Sequence, residues 1–404
     1  MLPTIRVQSM GLPIGPRIAG ALTDPWRLRI LMELSGGPLS PSEFVDRAGG
    51  NLDHISRCFR QLAELGYIEE IEQRLGRGAS IEHVYRLLTR AYFDTKTWEG
   101  IPRFQRDMVS QSIHDSFFTR VAEAVNTGTF DLELDRHLSW DGVVLDRTGW
   151  QELGAELDNI LEVWLPSLEE ASRAGAVNAE LIPTTIGLAA FRSPQSPDVV
   201  CSAPRPRYGG RPAAGPNGDV VTVEMASAMR NRWRARIVME LSARPLSPSQ
   251  FVREVGGSPS HISRCFRQLA EWGYIGVVAE RKGGRPGAVE RVYRNLERAY
   301  LDGETWKKLP YTLRAEFTNA ILNSYLARIN DAMQSGTFDA DADRHFSWIP
   351  VFLSRSAWHE VSARLDQLLE ALPDLQEASL DRQRGSMSDL IPTTVGLCSF
   401  RSPS

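Results

Sequence analysis

His54-Ile-Ser-Arg-Cys-Phe-Arg-Gln-Leu-Ala-Glu64 returns unchanged as His261 to Glu271. Around this stretch Trp26 recurs as Trp233, Trp98 as Trp306, Trp140 as Trp348, and Ile182-Pro-Thr-Thr as Ile391-Pro-Thr-Thr. The register slips by only a residue or two, so the chain reads as a tandem duplication of a unit of roughly 170 to 180 residues, too long and too few in number for a solenoid. One chain then carries what a two-fold homodimer builds from two. That geometry suits a two-fold target such as palindromic DNA.

The remaining composition narrows the class. With 404 residues, 42% of them hydrophobic, the chain can bury several cores, and each repeat is long enough for two small domains. No apolar run approaches ~18 residues, and Met1 to Gly20 lacks the continuous apolar stretch of a signal peptide, so a cytoplasmic protein without a membrane span is expected. Cys58, Cys201, Cys265 and Cys398 form no CxxC pair, which points to reduced thiols. A net charge of -4 argues against indiscriminate nucleic-acid binding while leaving room for a basic face.

Composition also sets the expected domains. Residues 1–20 read as a flexible N-terminal arm, 21–98 and 220–306 as two helix-turn-helix units with a hairpin, and 99–192 and 307–404 as two small α/β modules for pairing and sensing. The segment between, 193–219, is dense in Pro, Gly and Ser and reads as a linker. As a flexible coil its ends would lie on the order of 30 Å apart, far enough for the repeats to pack on each other. The expected fold class is α+β, mainly helical and pseudo-two-fold.

Helix signals are dense at the start of each repeat. Asp24 with Pro25, and Asn231 in the second copy, open a first helix. Ser40-Pro-Ser-Glu43 and Ser247-Pro-Ser-Gln250 are capping boxes for a short second helix ending at Gly49-Gly50 or Gly256-Gly257. A third follows at once, capped by Asn51 or Ser258, and three helices with a tight Gly turn make a helix-turn-helix. At 100° per residue Ile55, Cys58, Phe59, Leu62, Leu65 and Gly66 fall on one side of the third helix, and Asp53, His54, Arg57, Arg60, Gln61 and Glu64 on the other. The outer row is rich in groups that read base edges and hold phosphates, although an isolated helix with such a face would more often be merely solvated.

Downstream, Tyr67 to Gln73 and Glu82 to Leu88 read as strands around a Gly-rich, Arg-bearing tip, with Arg281-Lys-Gly-Gly-Arg-Pro-Gly287 in the matching place. From Ser258 to Arg294 there are seven Lys/Arg against three acidic residues, whereas Asn51 to Arg86 has five against six. The second unit is therefore expected to supply more of any non-specific affinity for DNA.

With these residues in view, the chain resembles the winged helix-turn-helix transcriptional regulators, nearest to the ArsR-like branch. His54-Ile-Ser-Arg57, Leu62-Ala-Glu-Leu-Gly-Tyr-Ile68, the wing from Arg74 to Arg77 and the returning Val84-Tyr-Arg86 carry the likeness, all with counterparts in the second copy. It covers Pro25 to Leu88 and Arg232 to Leu296, about a third of the chain. The resemblance implies groove reading by Asp53, His54, Ser56, Arg57, Arg60 and Gln61, and by Ser260, His261, Ser263, Arg264, Arg267 and Gln268. It implies backbone contacts for Arg74 and Arg77, and for Arg281, Lys282 and Arg285. Metal-sensing members carry Cys before the recognition helix; Leu39 to Asn51 has none, so no metal or other cofactor is expected.

The rest of each repeat is less specific. Ile101 to Asn126 and Leu309 to Gln334 read as long helices, and Leu138 to Leu145 and Phe346 to Leu353 as strands; the Ile-Pro-Thr-Thr segments close each repeat as further strands. Trp150, Leu153, Leu157, Ile160 and Trp164 keep a 3-4-3-4 spacing, as do Trp358, Val361, Leu365, Leu368 and Leu372. Such a seam suits helix pairing between the copies, or packing on its own domain, with Pro166 and Pro373 ending it. Asp135-Arg-His137 and Asp343-Arg-His345 are either salt-bridged ends of a strand or the seed of a divalent-metal site. Trp98, Trp140, Trp150 and their counterparts are either aromatic core or the lining of a small-molecule effector pocket.

The expected function is a DNA-binding transcriptional regulator acting as an intramolecular pseudo-dimer on double-stranded DNA with two half-sites. The alternatives are a winged-helix protein-interaction module and a small-molecule-binding protein without specific DNA binding. No nucleophile elbow, phosphate loop or complete metal cluster points to an enzyme.

Overall fold

The computed structural model describes residues 24–34, 37–75, 81–88, 95–175, 180–194, 228, 230–243, 245–282, 289–296, 303–383 and 389–403. The expected N-terminal arm, nearly all of the linker, and Arg77 and Arg285 in the hairpin tips lie outside them.

In the first copy the order is α1 (Pro25–Leu34), α2 (Pro41–Ala48), α3 (Leu52–Glu64), β1 (Ile68–Leu75), β2 (Ile81–Leu87), α4 (Thr95–Gly100), α5 (Arg103–Asn126), β3 (His137–Leu145), α6 (Arg147–Asn159), a π-helical turn (Ile160–Trp164), α7 (Leu165–Gly175) and β4 (Ile182–Arg192). The second copy repeats it: α8 (Arg232–Ala243), α9 (Pro248–Val255), α10 (Pro259–Glu271), β5 (Ile275–Lys282), β6 (Val289–Asn295), α11 (Gly303–Lys308), α12 (Tyr311–Ser335), β7 (His345–Leu353), α13 (Arg355–Arg382) and β8 (Ile391–Arg401). The fold class is α+β, and among the described residues no helix is long and apolar enough to cross a membrane.

Local chemistry accounts for the helix starts. Asp24 and Asn231 accept the backbone N–H of Trp26 and Trp233, each at 2.9 Å. Both capping boxes form, with Pro41 and Pro248 at the first helical turn. The following helices begin after glycines in the left-handed region, Gly49 at φ 75° and Gly256 at φ 94°, which free the chain to turn sharply into α3 and α10. Each hairpin gains a third, one-residue partner, Leu39 pairing with Tyr85 and Leu246 with Tyr293. The sequence pattern gave no sign of that bridge.

The larger sheet decides the architecture. Its strand order is β3-β8-β4-β7, entirely antiparallel, so no two strands of one copy are neighbours except across the other copy. Alternation is clean along every strand. Val143, Leu145, Ile186, Leu188, Ile349, Val351, Val395 and Leu397 face a core capped by α6, α7 and α13. Leu138, Trp140, Ala189, Phe191, Phe346, Trp348, Cys398 and Phe400 face the opposite core, with α1, α5, α8 and α12.

The helix seams were expected to pair the copies or to pack on their own domain; α13 does meet α6 and α7 across the copies, and the sheet adds backbone pairing, because both edges of β4 and of β8 are satisfied by strands from across the repeat. The seam residues pack down on this shared sheet. Nor do the prolines end the seam. Pro166 directly follows the π-helical turn inside a helix that runs on from Arg147 to Gly175, and α13 runs through Pro373 with Leu372, Gln376 and Ser379 still buried. The π-helical turn before Pro166 inserts one residue, so Leu165 takes the fully buried place expected of Trp164.

Candidate nucleic-acid interface

The third helix of each unit is held by its apolar side. Ile55, Cys58, Phe59 and Leu62, and Ile262, Cys265, Phe266 and Leu269, are buried. Phe59 lies 6.0 Å from the Phe44 ring and 5.3 Å from Tyr85, and Phe266 repeats both contacts at 5.9 and 5.4 Å. Leu65, expected inside, is 39% exposed, because α3 ends at Glu64 and the chain turns away.

Opposite this core, Asp53, Arg57 and Arg60, and Ser260, Arg264 and Arg267, are exposed, with Ser56, Gln61, Ser263 and Gln268 half-buried. Among the described residues none of these four arginines is in an ion pair, so their donors face solvent. Gln268 is partly engaged, accepting from Arg234 at 3.2 Å. Charges without partners are what a polyanion needs; an ion-paired arginine must first give up its carboxylate.

His54 and His261 do not stand with the outward row. His54 Nε2 lies 3.6 Å from Cys58 Sγ and 3.5 Å from Asp24 Oδ2; His261 Nε2 lies 3.6 Å from Cys265 Sγ. Both lean toward the buried side of their helix. Burial, with the Asp24 charge adding to it in the first copy, pushes both thiols up from their ordinary range.

The hairpins differ in electrostatics. Arg74 Nε donates to Glu82 at 2.9 Å and its guanidinium also meets Glu43, which ties β1 to α2. Against burial, which raises it, the Ser40 backbone N–H and then Arg74 hold the Glu43 carboxyl below its usual range, and the Ser40 hydroxyl, with Arg74 behind it, does the same for Glu82. Glu69 and Glu70 pair with Arg86 and His83. In the second hairpin Gly276 and Val277 replace those carboxylates, Arg281 is exposed, and Lys282 ends β5. The second hairpin keeps one ion pair, Arg291 with Glu280 at 3.1 Å, but Arg281, unlike its counterpart Arg74, meets no carboxylate among the described residues.

Compared with models of protein families, with curated proteins and with solved structures, the chain matches none.

A chain of hydrogen bonds ties each helical unit to the shared sheet. Arg120 of α5 donates to Glu33 of α1 at 3.2 Å and to Thr185 Oγ1 at 3.1 Å, and Thr185 hydrogen-bonds Ser402 of the other copy at 2.8 Å. The second copy repeats this chain: Arg328 to Glu240 at 2.9 Å, Arg328 to Thr394 at 3.1 Å, Thr394 to Ser193 at 2.7 Å. Sequence reading missed these residues. The only signal was the repeated Thr pair, whose second member points at the arginine.

The Asp-Arg-His motifs are also cross-copy joints. His137 Nδ1 meets Asp366 at 2.8 Å and His345 Nδ1 meets Asp158 at 3.0 Å. Arg136 bonds Asp131 and Thr318 of α12, and Asp343 accepts from Arg147 at 3.2 Å, away from its own motif's imidazole. Asp135 instead accepts from Trp358 Nε1 at 2.9 Å. Trp98, Trp140, Trp150 and their counterparts Trp306, Trp348 and Trp358 are buried: Trp140 donates to Ser324 and Trp348 to Ser116, each across the copies, and Arg136 and Arg344 stack on Trp306 and Trp98.

Proposed function

We propose that this chain is a sequence-specific, DNA-binding transcriptional regulator of the cytoplasm, built as a single-chain pseudo-dimer of two winged helix-turn-helix units of ArsR-like kind. The observation that carries the reading is the pairing itself: one interleaved sheet joins two units whose third helices each carry two exposed arginines with no ion pair among the described residues, which supports a pseudo-two-fold reader. Two-fold operators are read by such pairs, one recognition helix per half-site in the major groove. Arg57, Arg60, Arg264 and Arg267 supply guanine-reading or phosphate-binding donors, and the second hairpin adds sequence-independent attraction. Free, buried Cys58, Cys265 and Cys398 suit a reducing compartment.

Selection of binding sites from random duplex DNA by the purified chain tests this directly. Enrichment of a pseudo-palindrome is expected, with binding that weakens steeply as salt rises. A pool that shows no enrichment and no salt-dependent retention would remove the DNA-binding reading.

A further inference from the structure

We infer that Asp24, His54 and Cys58 form a binding site for one zinc-like divalent cation, present in the first copy and missing from the second. The donors come from two elements: Asp24 precedes α1, while His54 and Cys58 stand one turn apart on α3. Asp24 Oδ2, His54 Nε2 and Cys58 Sγ lie 3.5, 3.6 and 3.8 Å from one another. Zinc bonds to oxygen, nitrogen and sulfur imply edges of about 3.3 to 3.6 Å in a tetrahedron, so the three atoms need close only slightly.

The surroundings are those of a ligand set. Asp24 Oδ1 is fixed by the Trp26 N–H at 2.9 Å, which leaves Oδ2 aimed at the histidine and thiol. Cys58 is buried, whereas the His54 side chain is 42% exposed, so a cation can enter from the imidazole side and keep a solvent molecule as fourth ligand. One carboxylate and one thiolate neutralise a divalent charge at this half-buried place; Cys58 releases its proton to solvent on binding. Arg27, 4.0 Å from Asp24, competes for the carboxylate.

The second copy is a built-in comparison. His261 and Cys265 keep the 3.6 Å spacing, but Asn231 stands in the place of Asp24, and a neutral amide is a poor zinc ligand. A metal would therefore pin only one of the two third helices. That last consequence rests on the proposed DNA-binding role; the site itself does not.

Cobalt(II) titration of the reduced full-length chain, without DNA, reads the site by the thiolate-to-cobalt charge-transfer band, with zinc displacing the cobalt. One equivalent is expected. Cys58→Ser should abolish the band, and Cys265→Ser should leave it intact. Asp24→Asn, which keeps a good helix cap, should weaken binding at least about tenfold. Asn231→Asp should raise the stoichiometry to two. Absence of the band in the wild-type chain, its survival in Cys58→Ser, or its equal loss in Cys265→Ser would overturn the proposal, with circular dichroism confirming that each variant is folded.

Discussion

Leu188 and Leu397 face each other across the central strand pair, and each is the other's counterpart in the repeat. The adjacent pairs, Gly187 with Cys398 and Ala189 with Gly396, exchange under the same operation. A pseudo-dyad thus passes through the two leucines.

Because β3 and β4 find no partner in their own copy, a chain cut after residue 219 should associate into a two-fold dimer, whereas the full chain should sediment as one molecule. The full chain should also protect two half-sites about one helical turn apart in a footprint. A folded, monomeric fragment in sedimentation equilibrium would contradict the interleaved sheet.

Arg120→Ala should lower stability by about 3 to 5 kcal/mol, since it strands the buried Glu33 carboxylate. Arg328→Ala should carry less of that penalty, because Arg236 stays 2.8 Å from Glu240. Chemical denaturation midpoints of the two variants give the comparison, and the reverse order would mean that packing outweighs the ion pair.

The hydrogen bond from Arg382 holds the Asp146 carboxyl down at about 2, aided by the Gly149 N–H that it caps. A depressed carboxyl contributes stability that is complete above its unfolded value of about 3.9 and is lost as pH falls through the folded value. Asp146→Asn should therefore flatten the acid side of the stability profile between about pH 4 and 2. Denaturation series across that window test it, and an unchanged slope would assign the acid sensitivity to other carboxylates.

Arg57→Ala and Arg264→Ala should each weaken binding to the selected operator by about 1 to 3 kcal/mol and relax one base position. The readout is affinity for operator against random duplex. Equal losses on both would make these arginines phosphate contacts.

Arg281→Ala should reduce the log–log salt slope by up to about 0.9, whereas Arg74→Ala should change it little, because Arg74 is already neutralised by Glu43 and Glu82. Neutralising Lys282 and Arg285 with Arg281 should deepen the difference from the Arg74 and Arg77 pair. An identical change per charge would remove the asymmetry between the hairpins.

Local order was legible in the sequence because local rules set it. Capping chemistry fixed the starts of α2 and α9, glycines fixed the turns into α3 and α10, and angular sorting identified Ile55, Cys58, Phe59 and Leu62 as core. The ends of β3 and β7 were read to within a residue. The same rules placed Arg57, Arg60, Arg264 and Arg267 outward, since helical period alone decides which side of an amphipathic helix faces water.

What depends on residues far apart was not legible. His54 sits on the angular boundary of α3, and only Cys58 below it and Asp24 from another element draw it inward. Arg74 looked like a free cation until Glu43 folded against it. Periodicity suggested a helix seam between the copies, but strand pairing is decided by which backbone edges are left open, and β3 and β4 leave theirs to the other copy. The sequence by itself determined two equivalent sets of helices and strands. Only the tertiary structure decided that they interleave, because hydrogen-bonded strands at positions such as Leu188 and Leu397 are chosen by long-range complementarity that carries no local pattern.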